Sequence, residues 1–453
     1  MKITVYIPVH NYGKYVDKAV GSVLKQTMTD WEIIIINDGS TDNTSGIIKK
    51  YENHPKIRVI EQVKKGLNVT ANIALRLSNA DYFMRLDADD YLDENALLVL
   101  SNTLDAKPEA GLVYPDYYLV DEKGEVIEIV RRKKIAEEAE LLDLPAHGAC
   151  TMFRRECLLE LGGYEEDFDC QDGYELWLRF LRSFKPYNVN IPLFYYRQHQ
   201  GSLTKDQRKI FETRGRIKRK FVDKHKNGEI PGVIAIIPVI KQARSSPEHA
   251  FTKLAGKYLI DYTLREVLET KMIKSVVVTS NDTKVLKYVS EIKGVISVKR
   301  PPNLTSSHTR LKAIVNHVVE EVGNTGNFKP DAAMILFINA PLRKTAHIEK
   351  AIDTMAIFDV DTVVSVEEEL AYCYFHDKNG LVPVQRSRDL RIEKKAIYKE
   401  NGAILLANLK EKIDKNLFGK KVGHVVMLPE ESVKIKSAYD LWQAEKIISD
   451  WRK

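Results

Sequence analysis

Short apolar runs rich in β-branched residues alternate with stretches of helical period in the first part of the chain. Ile3 to Pro8, Trp31 to Asn37, Lys56 to Glu61 and Tyr82 to Leu86 read as strands, and Tyr15 to Gln26, Asn43 to Tyr51 and Val69 to Ser78 as the helices between them. Strands separated by single helices predict βαβ units and a mainly parallel sheet. A second series opens at Val233-Ile-Ala-Ile-Ile-Pro238 and continues with Ser275 to Thr279, Gly294 to Val298, Ala332 to Ile338, Thr362 to Val366 and Ala403 to Leu406. The pattern predicts two α/β domains, residues 1–205 and 229–453. A basic helical linker over 206–228 joins them, followed by the turn-forming Pro231-Gly232.

A length of 453 residues agrees with more than one domain. With 44% apolar and 29% charged residues, the composition is that of a soluble globular chain and excludes a disordered, collagenous or disulfide-scaffold protein. No apolar stretch approaches the roughly 18 to 20 residues that cross a bilayer. Met1 to Pro8 reads as a strand and not as a signal peptide. Cys150, Cys157, Cys170 and Cys373 form no CxxC pair and no His/Cys metal spacing, so the expected setting is the reducing cytoplasm.

A net charge of +6 is too small to indicate nucleic acid as a partner. Its distribution is uneven: nine Lys or Arg against Glu212 and Asp223 fall between Arg208 and Lys226. That segment reads as a solvated helix face, as an electrostatic brace between domains, or as a peripheral contact with an anionic membrane surface.

Three polar clusters follow strand ends, where open α/β sheets bind ligands. They are Ile7-Pro-Val-His-Asn-Tyr12, Asn37-Asp-Gly-Ser-Thr-Asp42 and Leu86-Asp-Ala-Asp-Asp90. A carboxylate at Asp38 can accept a hydrogen bond from a base N3–H, which uracil, thymine and the comparable edge of guanine offer and cytosine does not. Asp38, Ser40 and Asp42 also suit a plain turn and helix cap. Asp87 and Asp89 can aim two carboxylates at one ligand, and such oxygen donors suit Mg²⁺ or Mn²⁺ bound together with a diphosphate. Farther on, Asp172 precedes an amphipathic helix. It reads either as an N-cap with Glu175 at capping-box spacing or as a general base toward an acceptor hydroxyl. His199 reads as a metal ligand or as a loop histidine.

Taken in order over residues 1–205, the Ile7–Tyr12 stretch, Asn37-Asp-Gly-Ser-Thr-Asp-Asn-Thr44, Leu86–Asp90, Gly162-Gly-Tyr-Glu-Glu-Asp-Phe168, Gln171-Asp-Gly-Tyr-Glu-Leu-Trp-Leu-Arg179 and Tyr196-Arg-Gln-His-Gln-Gly-Ser202 resemble the family 2 glycosyltransferases, inverting enzymes of the GT-A fold. The resemblance implies that Asp38 holds the base, Asp87 the ribose side, Asp89 the metal and His199 the metal or the diphosphate, while Asp172 deprotonates the acceptor. It implies further substrate contacts from Pro8, His10, Asn11, Trp177 and Arg197. It also implies Mn²⁺ or Mg²⁺ as cofactor, a nucleotide-sugar donor with UDP-sugars favoured, a glycan, glycolipid or protein acceptor, and a part in polysaccharide synthesis. The chain departs from the family at Thr70-Ala-Asn72, where Ala-Arg-Asn is frequent. A second departure is Gln171-Asp172 in place of Glu-Asp, which leaves Asp169 and Glu175 as alternative bases.

Residues 233–453 resemble the CMP-sialic acid synthetases, the acylneuraminate cytidylyltransferases. The likeness lies in Ile236-Ile-Pro238, Leu254-Ala-Gly-Lys257, Ala340-Pro-Leu-Arg343, Val363-Val-Ser-Val366 and Glu400-Asn-Gly-Ala403. The resemblance implies two Rossmann-like nucleotide-binding folds in one chain, the second cytidylyltransferase-like. That family wraps CTP in an Ala-Arg-Gly-Gly-Ser loop and holds Mg²⁺ with Asp-Ile-Asp. Here Ile240, Lys241 and Gln242 occupy the arginine and glycine positions, His249-Ala250 a later Lys-Asn, and Lys434-Ile-Lys436 the metal ligands. Ammonium groups cannot ligate a hard cation, so the expectation is a glycosyltransferase carrying an inactive module. A second reading makes the chain a bifunctional glycosyltransferase and CMP-nonulosonate synthetase, and a third a non-catalytic nucleotide-sugar-binding scaffold.

Overall fold

A computed structural model describes residues 1–131, 148–168, 171–199, 207–225, 229–241, 246–306, 309–325, 328–369, 371–378, 380–384, 397–410 and 417–451. The described residues divide into two compact units, 1–214 and 215–451, and the division falls inside the helix Gln207–His225. Among them no helix is long and apolar enough to cross a membrane.

The first unit is built on strands β1 (Ile3–Val9), β2 (Trp31–Asp38), β3 (Ile57–Gln62), β4 (Tyr82–Arg85), β5 (Tyr91–Leu92), β6 (Ala110–Val120), β7 (Val126–Val130), β8 (Met152–Arg154) and β9 (Lys185–Arg197). They form one sheet in the order β3-β2-β1-β4-β8-β6-β9-β5, with β7 paired to β6. β1 to β4 pair in parallel, as the alternation of apolar runs and helices predicts. The other half is mixed: β8 runs antiparallel to β4 and β6, whereas β9 is parallel to β6.

Both faces of the parallel half are covered, which explains why β1 and β2 read as nearly unbroken apolar runs. Ile3, Val5, Ile7 and Val9 point to one face and pack with Val16, Ala19, Val20 and Val23 of the helix Gly13–Leu24. Tyr6, Ile34 and Ile36 point to the other and pack with Ala71, Ala74 and Leu75 of the helix Leu67–Leu77 and with Trp177 and Phe180 of the helix Asp172–Ser183. Asn72, in the Thr70-Ala-Asn72 departure, clamps the turn after residue 162. Its Oδ1 accepts from Tyr164 N at 2.8 Å and its Nδ2 donates to Tyr164 O at 2.8 Å.

The second unit contains β10 (Val233–Val239), β11 (Lys253–Leu254), β12 (Lys257–Tyr258), β13 (Ile273–Ser280), β14 (Val295–Lys299), β15 (Ala332–Ile335), β16 (Thr362–Glu369), β17 (Tyr374–Asp377), β18 (Gly380–Pro383), β19 (Ile397–Asn408) and β20 (Val422–Val426). Its main sheet has the order β14-β13-β10-β15-β19-β16-β20. All neighbours are parallel except β19, which is antiparallel to both β15 and β16. That reversal is the feature the βαβ pattern does not predict. Ile234, Ile236, Val277 and Ile335 pack against Val315, Val318 and Val322 of the helix Leu311–Thr325. In the basic segment, Lys218 donates to Thr354 Oγ1 at 3.2 Å, and Arg219 meets the buried Asp353 at 3.1 Å and Asp223 one turn on.

Candidate functional site

The order β3-β2-β1-β4 makes the crevice beyond the carboxyl ends of β1 and β4 the topological switch point, where the connections diverge to the two sides of the sheet and ligands have room to enter. The three clusters converge on this edge of the sheet. β1 delivers Pro8 and leads into His10 and Asn11, β2 ends on Asp38, and β4 leads into Asp87 and Asp89.

The loop after β2 is locked to its neighbours. Asn11, at φ +60°, accepts through Oδ1 from Thr41 N at 2.7 Å and Asp42 N at 3.3 Å. Asp42 in turn accepts from Gly13 N at 3.1 Å and Thr44 N at 3.0 Å. Desolvation raises the Asp42 pKa, yet the donors from Thr44 and Gly13 hold it below the usual carboxylate range. Gly39 sits at φ +69°, and a Cβ there would stand 2.7 Å from Lys64 N, so only glycine fits this close approach.

Asp38 is buried, and its carboxylate is already engaged. Oδ1 accepts from Gln62 Nε2 and Lys65 N, both at 2.7 Å, and Oδ2 accepts from Gly66 N at 2.8 Å. A base N3–H therefore has one open lone pair to meet, on Oδ2. His10 bridges the same region. The Lys64 ammonium can only donate to His10 Nε2, at 3.0 Å, so Nδ1–H donates to Asp38 O at 2.9 Å.

Beyond β4, Arg85 holds Asp87, with Nε 2.9 Å from Oδ1. Asp89 Oδ2 lies 2.9 Å from His199 Nε2, so residues 110 positions apart meet at the switch point. Asp90 is fully buried. Burial first, and then the negative charges of Asp89 and Asp87, push its pKa well up. The Tyr12 phenol beside the cluster is raised by burial and by Asp89, Asp87 and Asp90. Its ring meets His199 edge-on at 5.6 Å.

This local excess of negative charge suits a cation. Two cis ligands of an octahedral ion at about 2.1 Å stand roughly 3.0 Å apart, and the Asp89–His199 separation of 2.9 Å matches that edge. Among the described residues no three His, Cys, Asp or Glu side chains converge on one metal position. The described residues thus offer two donors, a number that leaves coordination positions for water and phosphate oxygens.

Other candidates stand elsewhere. Arg197 is buried, and its guanidinium donates to the carbonyls of Asp89 at 2.9 Å and Glu122 at 2.8 Å, while its backbone N–H donates to Asp90 Oδ1 at 2.9 Å. It positions the loop that carries Asp89. Trp177 lies in the core, edge-on to Tyr114 at 6.0 Å. Asp172 is the first residue of its helix, and the N-cap is Gln171, at φ +61° with no side-chain cap bond. That corrects the reading of Asp172 as the cap. The Asp172 side chain and all of Asp169 lie outside the described residues. Glu175 makes no capping box, because both its oxygens take hydrogen bonds at 2.7 Å from Arg179 Nε and Nη2. In the second unit Lys436 is exposed, while the half-buried Lys434 carries its ammonium 5.6 Å from the Phe337 ring.

The sequence reading missed Arg197's positioning role, the burial of Asp90 and the Gln62, Lys65 and Gly66 clamp on Asp38. The adjacent acids Asp89-Asp90 were the available signal for Asp90, since burial beside a like charge disfavours the charged form of a carboxylate.

Residues 4–162 match the family model described as Glycosyl transferase family 2. An O-antigen biosynthesis glycosyltransferase of Escherichia coli, WbnJ, is 30% identical over 237 residues, which is 49% of this chain and 89% of that protein. A chondroitin synthase of Escherichia coli is 37% identical over 126 residues, 28% of this chain but only 18% of that much longer protein. Among solved structures, S. aureus TarS 1-349 in complex with UDP-GlcNAc aligns over 49% of this chain and 67% of its own, with 18% identity and a TM-score of 0.42.

Proposed function

The chain belongs to glycosyl transferase family 2, and from that premise we propose that its first unit transfers a sugar from a nucleoside-diphosphate sugar to a hydroxyl acceptor, with inversion, in glycan or surface polysaccharide synthesis. The observation that carries this reading is the meeting of Asp89 and His199 at 2.9 Å, with Asp87 beside them, at the switch point of the sheet. A uracil base is the favoured donor base, because it can give its N3–H to the open lone pair on Asp38 Oδ2, and Lys64 and His10 frame the same end of the loop. Asp87 takes the ribose side.

Asp89 and His199 would hold Mn²⁺ or Mg²⁺ together with the donor diphosphate, and the cation would neutralise charge that builds on the leaving group. The chain's own residues do the rest. Arg197 fixes the loop that carries Asp89, through the carbonyls of Asp89 and Glu122. The buried Asp90 accepts the Arg197 backbone N–H at 2.9 Å and so ties the strand end beyond Asp89 to β9. Asp172, at the start of its helix, accepts the acceptor's proton as general base. The acceptor oxygen then attacks the anomeric carbon from the face opposite the leaving diphosphate. Of the alternative bases, Glu175 is committed to Arg179.

The second unit is proposed to be an inactive cytidylyltransferase-like module. Lys434 and Lys436 at the metal-ligand positions, together with the rewritten loop after β10, support that reading. The test is a panel of nucleotide sugars with Mn²⁺ on the purified chain, following release of nucleoside diphosphate with and without glycan acceptors. UDP release from at least one UDP-sugar, lost in EDTA, is the expected outcome, and release from none would sink the proposal. In parallel, CTP with a nonulosonic acid should yield no pyrophosphate. Steady release would restore the bifunctional reading.

A further inference from the structure

The helix that carries Asp172 starts from a strained residue. Gln171, immediately before it, stands at φ +61° and ψ +29°, in the left-handed region. That conformation costs free energy for any residue with a side chain and persists only where the surroundings over-determine it. The Gln171 carbonyl accepts the first helical bonds, from Tyr174 N at 3.0 Å and Glu175 N at 3.2 Å, so its conformation sets the direction in which the first turn leaves. Its side chain makes no cap bond with that turn. It is turned instead to the basic segment, where Oε1 accepts from Arg214 Nε at 2.8 Å.

Arg214 lies in the helix Gln207–His225 and belongs to the same compact unit as Gln171. Its guanidinium stands 5.3 Å from the centre of the Tyr174 ring, within range of a cation–π attraction. Tyr174 is 1% exposed, so that ring is a fixed platform. One cation thereby grips the residue before Asp172 and the residue two after it. The body of the same helix is anchored separately: Arg179, which takes both Glu175 oxygens, donates through Nη1 to Leu161 O and through Nη2 to Gly163 O, each at 2.8 Å. A capping side chain at position 171 would satisfy the helix's own leading N–H groups, and a glycine would remove the strain. Here both gains are forgone for a contact with Arg214.

We propose that Arg214 is a positioning residue for the transfer reaction, which holds Gln171 in its left-handed conformation and so sets where the first turn presents Asp172. The proposal rests on the reading of Asp172 as the general base. A base acts only within hydrogen-bond reach of the proton it takes, and a displacement of about 1 Å can cost about a hundredfold in rate. Arg214 acts through Gln171 and not on the substrate. The basic segment, whose charge alone admits several roles, in this way supplies one directed contact to the site.

The test follows UDP release by the full chain in Mn²⁺ from UDP-glucose, UDP-galactose, UDP-N-acetylglucosamine and UDP-glucuronate, with methyl glycosides of glucose, galactose and N-acetylglucosamine as hydroxyl acceptors. The pair that wild type turns over fastest is then used throughout. Arg214→Met should lower kcat by about tenfold or more, with the KM for the donor and the calorimetric affinity for UDP unchanged. Gln171→Gly should lower kcat likewise without a fall in melting temperature, because glycine adopts φ +61° free of strain. It serves as the readout if Arg214→Met does not fold. In an Asp172→Asn background Arg214→Met should cost nothing further, since no base is left to place. Four results would overturn the proposal and leave Asp172 its role: wild-type kcat in a folded variant, a loss expressed in donor KM, losses that multiply in the double variant, or kcat and melting temperature falling together in Gln171→Gly. Wild-type kcat in Asp172→Asn would instead overturn the base assignment and this proposal with it, and release from no pair by wild type would overturn both through the transfer reading.

Discussion

The two units share one topological position and furnish it with opposite charge. β3-β2-β1-β4 and β14-β13-β10-β15 are both parallel quartets whose first strand lies between the strands that follow it, so each opens a crevice at the carboxyl ends of β1 and β4 or of β10 and β15. In the first crevice Asp87, Asp89 and the buried acid Asp90 stand with His199, and the field they make holds up the Tyr12 phenol. In the second, the buried guanidinium of Arg300 donates through Nη2 to Thr279 O at 3.0 Å, and its Nε and Nη1 have no partner among the described residues. Backbone topology decides where a ligand can enter. The few residues just past the strand ends decide which charge lines the crevice.

The largest expected effect breaks the first crevice and leaves the second untouched. Asp89→Ala should cut metal-dependent transfer by about a thousandfold or more, since a bound cation supplies several kcal/mol to the departing phosphate. Folding should survive, because Asp89 lies at a strand end and contributes no core packing. Wild-type turnover in Mn²⁺ would remove the metal assignment. Asp172→Asn should come next, lowering kcat on the order of a hundredfold with donor affinity kept, which is the usual contribution of a positioned base. An equal loss of donor affinity would make it a binding residue instead.

A smaller effect probes how Asp38 reads its ligand. UDP should bind about tenfold more tightly than CDP, since cytosine would set its N3 acceptor against the open Oδ2 lone pair with no proton between them. Calorimetry with the two diphosphates in Mn²⁺ measures this directly, and a preference for CDP would move base recognition away from Asp38.

How far the site was legible follows from how local each signal is. Ile3 to Pro8, Trp31 to Asn37 and Tyr82 to Leu86 announce themselves because strands covered on both faces are apolar throughout. Asp89 and His199 were legible as residue types, yet their contact depends on β9 running beside β6 and β5. Trp177 and Arg197 show the limit: both sit in motif positions, and only tertiary packing assigns one to the core beside Tyr114 and the other to carbonyls beneath Asp89. Arg300 was readable as an arginine directly after a strand, but its burial is a property of the folded chain alone. The reversal of β19 was hidden for a related reason, since Ala403 to Leu406 is apolar whichever way the strand runs.

The smallest predicted effect concerns the pH response of the second unit. Asp353, in the helix Thr345–Phe358, is 1% exposed, and burial raises its pKa from 3.8 to about 7, even though Arg219 and Lys218 pull it down while Glu349 and Asp223 add to the rise. An acid whose folded pKa exceeds its unfolded value keeps a proton in the native state that the unfolded chain has already lost. Stability from this group is therefore full below about 4, falls as pH rises toward about 7, and is level above it. Asp353→Asn keeps the shape and an acceptor for Arg219 Nη1, now 3.1 Å from Asp353 Oδ1, and has no proton to lose. Wild type should thus gain on the variant as pH falls from 8 to 4.5, by roughly 2–4 °C in melting temperature, the shift that about 1 kcal/mol makes in a domain of 150–250 residues. The comparison is a difference between two chains at each pH, so carboxylates common to both, such as Glu431 with its pKa held down by His347 and Lys344, cancel. Parallel melting profiles would mean that Asp353 stays ionised across the range, and that the basic helix Gln207–His225 pairs with a full negative charge at that position.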